Sequence, residues 1–328
     1  MPRRLANLFL LVAVLTLLAT GFLPWLISDI DAAPLYDLHR FMGIALVLSL
    51  VWKYAIVRGS ALRRLERREP SLAISAFASG ALLFVVASGI AWTTELVSFD
   101  RPLAYSMLNL HVFAGVSLAI ATLLHALSRW ERRPPIARLA GRRAALRVLA
   151  LGGIATLLAA ALDRVAPQRR ITGSRHAVSF TANAFPLTIW QFDSVPSVDI
   201  GAWRLVVTGA VARPLALRYD ALTGFAAQET DAVIDCTSGW WSEQRWRGVA
   251  LRDVVAASGP HAATSHVRVV SVTGHAWTFG LGEIGDALLA THVGDETLAA
   301  GHGYPLRLVV PGRRGFQWIK WVDRIELT

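Results

Sequence analysis

The first half of the chain consists of long apolar stretches separated by short charged segments. A helix that crosses a membrane needs about 20 apolar residues. Four stretches reach that length: residues 5–27, 35–57, 72–97 and 107–128. A fifth run has only 15 uncharged residues, between Arg147 and Asp163, and spans a bilayer only if its flanks snorkel or the bilayer thins. The pattern predicts an all-α transmembrane bundle of four helices plus a fifth anchor helix.

The second half has a different pattern of apolar residues, in which short apolar runs alternate with turns that contain glycine and proline. Residues 203–208, 267–272 and 306–310 are examples of such runs, which are typical of strands. The sequence therefore predicts an α+β fold with much sheet. It divides into residues 1–130 (helical bundle), 131–175 (arginine-rich loop, fifth helix and linker) and 176–328 (globular domain).

The charge pattern favours a membrane protein over a nucleic-acid-binding one. The net charge is +10 and 54% of the residues are hydrophobic, but much of the arginine lies in two clusters. These are Arg58, Arg63, Arg64, Arg67 and Arg68, and then Arg129, Arg132, Arg133, Arg138, Arg142, Arg143 and Arg147. Under the positive-inside rule both clusters are cytoplasmic. The acidic loop with Asp29, Asp31 and Asp37 then faces outward. We expect a multi-pass protein of the bacterial inner membrane with a periplasmic C-terminal domain.

A twin-arginine pair opens the fifth helix. Arg142 and Arg143 precede a short apolar run, which resembles an export signal for folded proteins. Residues 159–161, three alanines, resemble a cleavage site. Cleavage would separate the domain from its electron partner, so we expect a retained anchor.

One histidine motif occurs twice. His39 and Gly43 frame the first copy of His-x-Phe-x-Gly, and His111 and Gly115 frame the second. The helices that carry them run in the same direction, so both imidazoles lie at the same depth, and each glycine one turn on leaves room for a flat porphyrin. The motif predicts bis-histidine ligation of one b-type haem. The alternative is that both histidines are ordinary bundle residues.

A second haem lacks a complete ligand pair. His125 follows His111 by 14 residues, but the matching position after His39 is Lys53. We predict one haem and regard His125 as a further candidate iron ligand. His125 and Lys53 can instead line a quinone pocket or snorkel to the inner surface. In its histidines and glycines the bundle resembles the ferric-reductase-like and dihaem cytochrome b families.

The chain has a single cysteine, Cys236, which excludes an intramolecular disulfide and any multi-cysteine zinc or iron–sulfur site. Three segments, residues 203–214, 235–240 and 246–253, resemble the molybdopterin domain of the sulfite oxidase family in order and spacing. Residues 302–312 and 315–325 resemble the closing pattern of that family.

This resemblance implies a molybdenum–molybdopterin cofactor with Cys236 as its thiolate ligand, a soft donor suited to such a metal. It further implies contacts with the pterin and its phosphate, which guanidinium and ammonium groups bind well. The implied residues are Asn183, Phe185, Thr273, His302, Arg307 and Lys320.

The substrate pocket departs from the sulfite oxidase pattern. Trp240 and Trp241 stand where that family has paired arginines, and His275 stands where it has a tyrosine. The Cys-x-x-x-Trp run resembles the periplasmic methionine-sulfoxide reductase subunit of bacteria more closely. We list His275 as catalytic with Cys236, and Arg245 and Arg247 as sources of positive charge. Reduction of a sulfoxide-type substrate is favoured slightly over oxidation of sulfite.

The predicted function is a membrane-bound molybdenum oxidoreductase. It transfers an oxygen atom to or from a small substrate and passes electrons through the haem to or from the quinone pool or another redox partner. Membrane lipid is an expected partner and nucleic acid is not. The rival hypotheses are a non-catalytic electron carrier or sensor with a pterin-binding module, and a haem-free anchored enzyme. Since the chain ends at Thr328, we expect no C-terminal dimerisation domain of the sulfite oxidase kind.

Overall fold

The computed structural model describes residues 3–26, 33–67, 71–94, 96–97, 106–128, 141–165, 170, 172–189 and 193–328. The chain forms two compact units, a helical unit (Met1–Gly173) and a sheet unit (Ser174–Thr328). Part of the predicted charge pattern lies outside the described residues. These positions are Asp29, Asp31, Arg68, Arg129, Arg132, Arg133 and Arg138.

Five helices make up the described part of the helical unit. They are α1 (Arg3–Leu26), α2 (Ala33–Glu66), α3 (Ser71–Thr93), α4 (Met107–Ser128) and α5 (Arg142–Val165). Each contains a stretch long and apolar enough to cross a membrane. The fifth helix is longer than its uncharged run because it starts at Arg142 and includes four arginines, which are good helix formers.

The helices pack mainly as neighbours in sequence. α1 contacts α2 and α3 contacts α4, while α4 also contacts α1 and α5 contacts α2. Small residues allow this close packing: Ala13 and Ala119 are buried with Leu46 in one cluster. A second cluster joins Ala45 of α2 to Ala155 of α5. Large apolar side chains on the outside, such as Leu83 at 65% exposure, suit a lipid-facing surface.

The sheet unit contains eleven strands in its described residues. They are β1 (Arg175–His176), β2 (Leu205–Gly209), β3 (Leu215–Leu217), β4 (Ala227–Asp235), β5 (Trp240–Ala250), β6 (His266–Ser271), β7 (Ala276–Gly280), β8 (Leu288–Val293), β9 (Glu296–Thr297), β10 (Arg307–Val309) and β11 (Val322–Leu327). One α-helix, α6 (Leu251–Ser258), follows β5. The predicted strand runs correspond to β2, β6 and β10, with ends shifted by one or two residues.

The strands form two sheets. The six-stranded sheet has the order β1-β5-β8-β10, with β4 paired to β5 and β9 paired to β8. The five-stranded sheet has the order β3-β2-β11-β6-β7, in which β11 is parallel to β2 and antiparallel to β6. Because strand side chains alternate between faces, β5 buries Trp240, Ser242, Gln244 and Trp246 and turns the intervening residues outward.

Candidate functional site

Cys236 lies in the four-residue connection between β4 and β5. The Trp240 carbonyl accepts a hydrogen bond from the Cys236 backbone N–H at 2.8 Å, and the Cys236 carbonyl accepts one from Gly239 at 3.0 Å. Gly239 has φ of 92°, a conformation that glycine adopts without a steric penalty. The tight turn leaves the cysteine 8% exposed.

A chain of hydroxyl groups leads to the sulfur atom. Cys236 Sγ lies 3.2 Å from Ser238 Oγ, which lies 2.9 Å from Thr188 Oγ1. The Trp240 indole N–H donates to Thr188 Oγ1 at 2.9 Å. An indole N–H only donates, so the Thr188 hydroxyl is able to donate to Ser238, and the Ser238 hydroxyl can then donate to the sulfur.

Lys320 contacts the same cluster through Thr188. Its ammonium donates to the carbonyl oxygens of Thr188 at 2.9 Å and Gly301 at 3.1 Å. The ammonium also lies 4.5 Å from the centre of the Trp321 ring, within the range of a cation–π interaction. The structure therefore brings Lys320 and Cys236 to one region through Thr188, a residue that the sequence did not single out.

Arg307, the first residue of β10, is enclosed by aromatic side chains. Its guanidinium carbon lies 5.3 Å from the ring centre of Trp246 and 5.9 Å from that of Trp318. One nitrogen donates to the His302 carbonyl at 2.8 Å, but Nε has no hydrogen-bond partner among the described residues. The residue is 4% exposed. Burial lowers the pKa of Arg307 to about 10, an effect that the nearby Cys236 opposes.

His302 stacks on Phe185 with the ring centres 4.0 Å apart. Its Nε2 lies 3.0 Å from the Asn183 carbonyl oxygen, which can only accept, so the proton is on Nε2 and Nδ1 is an acceptor. Burial, followed by the positive charge of Arg307, lowers the pKa of His302 to about 4. His302 is therefore neutral near pH 7.

Asn183 uses its side-chain amide within the fold. It donates to Glu296 Oε2 and to the Thr297 carbonyl, both at 2.9 Å, and accepts from the Ala299 N–H at 2.8 Å. These bonds attach β9 and the following loop to the segment that carries Phe185. The predicted contact between Asn183 and a pterin stays a prediction.

A glycine loop packs directly on the cysteine. A Cβ atom at Gly315 would lie 3.1 Å from the Asp235 carbonyl oxygen and 3.2 Å from Cys236 Cα. The imidazole of His275 braces this loop, with Nε2 2.9 Å from the Phe316 carbonyl oxygen. His275 thus contacts the loop that packs against Cys236. Thr273 lies two residues away and donates to Asp193 at 3.0 Å.

Asp235 and Arg314 form an ion pair beside the cysteine. Their closest atoms are 3.7 Å apart and their side chains are 6% and 12% exposed. The Ser174 hydroxyl donates to the same carboxylate at 2.6 Å. The sequence did not point to Arg314, which lies between the two resembling segments (residues 302–312 and 315–325). Its position directly before Gly315 was the available signal.

Arg245 and Arg247 lie on the outward-facing side of β5, because Trp246 between them is fully buried. Arg245 forms a two-point contact with Asp231, at 2.9 and 3.1 Å, which raises the pKa of Arg245 and lowers that of Asp231. Burial lowers the pKa of His292, and the positive charge of Arg247 lowers it further by a smaller amount. The catalytic role of both arginines stays a prediction.

The two histidines of the repeated motif meet inside the helical unit. The ring centres of His39 and His111 are 6.3 Å apart and the rings are inclined at 69°. Each Nδ1 has a hydroxyl neighbour on the preceding helix, Thr20 at 3.1 Å and Ser88 at 3.2 Å. Among the residues that the structure describes, no three histidine, cysteine or acidic side chains converge on one point.

Glycines in the repeat provide space next to these rings. A Cβ atom at Gly21 would lie 3.3 Å from His39 Cε1, and one at Gly89 would lie 3.1 Å from His111 Cε1. A Cβ atom at Gly115 would meet nothing within 4 Å, and one at Gly43 would meet only Leu17, at 3.9 Å.

Comparison with known proteins identifies relatives of the sheet unit. Residues 192–328 match the family model described as oxidoreductase molybdopterin binding domain. The oxidoreductase YuiH of Bacillus subtilis is 30% identical over 136 residues, which cover 40% of this chain and 67% of YuiH. Barley nitrate reductase [NAD(P)H] is 30% identical over 169 residues, covering 41% of this chain and 19% of that enzyme. Mouse mitochondrial sulfite oxidase is 28% identical over 182 residues, which cover 46% of this chain and 32% of that enzyme. The chain thus spans about a fifth of the nitrate reductase and a third of the sulfite oxidase.

Proposed function

The chain belongs to the oxidoreductases with a molybdopterin-binding domain of the sulfite oxidase and nitrate reductase type, and we propose that Cys236 is the thiolate ligand of its molybdenum. The hydroxyl chain from Trp240 through Thr188 and Ser238 supports this role, because it presents a donor to the sulfur. A molybdenum–molybdopterin centre supplies the exchange of an oxygen atom coupled to two electrons.

The observation that carries this proposal is the unpartnered Nε of the buried Arg307. A buried cation is costly unless an anion neutralises it, and aromatic faces offset only part of that cost. A phosphate group of the pterin would neutralise the charge through charge-assisted hydrogen bonds. Lys320, linked to the cysteine cluster through Thr188, would provide a second cation. His302 would offer Nδ1 as an acceptor to the pterin.

We propose a small, neutral substrate of the sulfoxide type, reduced by removal of its oxygen atom. Trp240 and Trp241 favour this class because they place indole rings, one of them buried at 4% exposure, directly after the cysteine turn. His275 would act by holding the loop that packs on Cys236. Oxidation of sulfite is the second candidate, and the buried guanidinium of Arg314 next to Asp235 favours it.

For the helical unit we propose one b-type haem ligated by His39 and His111. Imidazole is a usual ligand of haem iron, and two imidazoles could hold the same metal only if their rings lie close together. The observed separation is 6.3 Å. The hydroxyl groups of Thr20 and Ser88 would fix each ring through Nδ1 and direct Nε2 toward iron. Open space next to Gly115 suits a porphyrin face.

We place the five helices in a bacterial inner membrane, with the sheet unit in the periplasm and electrons passing between the haem and the quinone pool. The arginines near the end of α2, Arg58 and Arg63 within the helix and Arg67 directly after it, support a cytoplasmic location for that end. The haem ligands lie near the opposite ends of α2 and α4. This arrangement would bring one-electron chemistry to the side on which the sheet unit is proposed to lie.

Metal and haem analysis of the purified full-length protein tests the proposal. We expect molybdenum and haem b in equal amounts, loss of molybdenum alone in Cys236→Ser, and loss of haem alone in a His39→Ala/His111→Ala double variant. Reduction of a dialkyl sulfoxide by dye-coupled turnover, compared with oxidation of sulfite, separates the two substrate classes. Wild-type protein that turns over without molybdenum would rule out the proposed function.

A further inference from the structure

One segment of the sheet unit presents apolar side chains to the outside. Residues 176–180 run beside β5 and expose alternate side chains, those of His176, Val178 and Phe180, which we call the exposed stripe. Val178 is 48% exposed and Phe180 is 55% exposed, while the His176 ring lies against Trp241 with the ring centres 4.5 Å apart. Among the described residues of the sheet unit, Phe180 is the only phenylalanine, tyrosine or tryptophan that is exposed.

The fold holds Phe180 outward by fixing a strained backbone. Its φ is 54°, in the left-handed region that residues with a side chain rarely adopt. The Phe180 N–H donates to the Glu243 carbonyl at 2.9 Å. The Val178 carbonyl accepts from the Ser242 hydroxyl at 2.6 Å and from the Gln244 amide at 3.3 Å, and both of these residues are completely buried. Strained conformations persist where the surroundings over-determine them, and they cluster at functional positions.

The chain places the exposed stripe close to one end of a proposed membrane-spanning helix. Gly173, the last residue of the helical unit, accepts a hydrogen bond from the Trp92 indole N–H at 3.4 Å. Trp92 is the last residue but one of α3, at the end that we propose to face the periplasm. Phe180 follows Gly173 by seven residues. Because an extended chain advances at most about 3.6 Å per residue, Phe180 lies within about 25 Å of Gly173.

The charges that precede the exposed stripe match those of anionic lipid. Residues 164–176 contain no aspartate or glutamate and four arginines: Arg164, Arg169, Arg170 and Arg175. Arg175 is buried, and the other three lie at or just after the end of α5 in the sequence. Arginines next to a membrane anchor attract the headgroups of anionic phospholipids. Phenylalanine side chains insert at the boundary between headgroups and acyl chains.

We infer that the exposed stripe inserts into the outer surface of the lipid bilayer and docks the sheet unit there. The inference rests on the proposed membrane location of the helices, because α5 is the tether. A tethered contact forms at a high effective concentration, so a few apolar side chains are sufficient where a free protein would need a larger surface. Both the tether and the neighbouring arginines favour a phospholipid surface over a second copy of the chain.

Photolabelling from the lipid tests the inference on the full-length protein in nanodiscs of phosphatidylcholine and phosphatidylglycerol. A phospholipid with a diazirine near its headgroup is activated by light, and its adducts are mapped by mass spectrometry. We expect adducts on residues 176–179 as well as on the helices. We expect none at Ile200 or Val272, exposed apolar residues elsewhere in the sheet unit (37% and 42%). Nanodiscs of phosphatidylcholine alone should give fewer adducts on residues 176–179, because they lack the anionic headgroups that arginine attracts.

Phe180→Gly removes the inserted side chain and keeps the backbone. Glycine adopts a φ of 54° without strain, so the melting temperature in detergent should equal or exceed that of the wild type. Adducts on residues 176–179 should fall about fivefold, the effect of losing a half-exposed phenylalanine from an apolar contact. Ile200→Ser is the matched control and should be labelled like the wild type.

The pattern of adducts separates this inference from the membrane proposal. Adducts on the helices but not on residues 176–179 would overturn the docking and leave the membrane location intact, whereas no adducts on any helix would overturn both. Equal labelling of the wild type and Phe180→Gly would overturn the inference. So would residues 176–179 that neither lipid labels nor hydroxyl radicals reach, because protein would then cover them. Equal labelling with and without phosphatidylglycerol would overturn the role assigned to the arginines.

Discussion

The guanidinium of Arg307 lies 5.3 Å from the ring centre of Trp246, in an interior where its Nε has no partner among the described residues. Among the residues that the structure describes, no acidic side chain forms an ion pair with Arg307. Desolvation without an ion pair makes this arginine a cost to the cofactor-free fold. The cost is offset when an anion binds.

Arg307→Met should therefore have opposite effects on stability and on cofactor content. In cofactor-free protein we expect a melting temperature equal to or above that of the wild type, because the variant keeps apolar volume and removes an unpaired buried charge. Molybdenum content should fall to background. Arg268→Met, which breaks an exposed pair with Glu326, is the control and should retain molybdenum. A large fall in melting temperature would contradict this interpretation of Arg307.

The depressed pKa of His302 predicts loss of stability in acid. Its pKa is about 4 in the folded chain and about 6.5 when unfolded, so the unfolded chain binds the extra proton first. The free energy of unfolding should have its full value above pH 6.5. It should decrease by on the order of 3 kcal/mol as the pH drops from 6.5 to 4. Unfolding of cofactor-free protein followed by tryptophan fluorescence measures this. His302→Gln should show a shallower pH dependence, and an identical slope in both proteins would refute the assignment.

Gly315→Ala tests whether the glycine loop positions the cysteine. Its Cβ would meet the Asp235 carbonyl at 3.1 Å and Cys236 Cα at 3.2 Å, and both are backbone atoms that move only together with the turn. We expect reduced molybdenum content or at least a severalfold loss of turnover. Gly285→Ala is the matched control because its Cβ would meet nothing within 4 Å. Equal activity of the two variants would show that the contact is unimportant.

Gly89→Ala tests the histidine pair in the same way. The added methyl group would lie 3.1 Å from His111 Cε1 and should tilt the ring away from His39. We expect weaker haem retention or altered visible bands, measured on detergent-solubilised protein. Gly80→Ala on the same helix meets nothing within 4 Å and should leave the spectrum unchanged. Wild-type bands in Gly89→Ala would argue against ligation by His111.

Sequence patterns were sufficient where a property depends on residues close together in the chain. Apolar length located the helices, and the predicted range 107–128 coincides with α4 (Met107–Ser128). Apolar length placed the ends of α2 less well, because the helix continues to Glu66 through several arginines. Arginine interrupts an apolar stretch but is a good helix former, so the backbone hydrogen bonds continue through it. The motifs around Cys236 and His302 indicated the family, which the comparisons confirm for residues 192–328.

By itself the sequence determined the apolar helices, the strand-rich second half, the lone cysteine and the repeated histidines, since each is a matter of residue type and local spacing. Only the tertiary structure decided what surrounds them. Thr188 is 48 residues before Cys236 and reaches it through Ser238, and Trp246 and Trp318 enclose Arg307 from separate elements. Such contacts depend on how strands and helices pack, and neither composition nor periodicity along the chain contains that information.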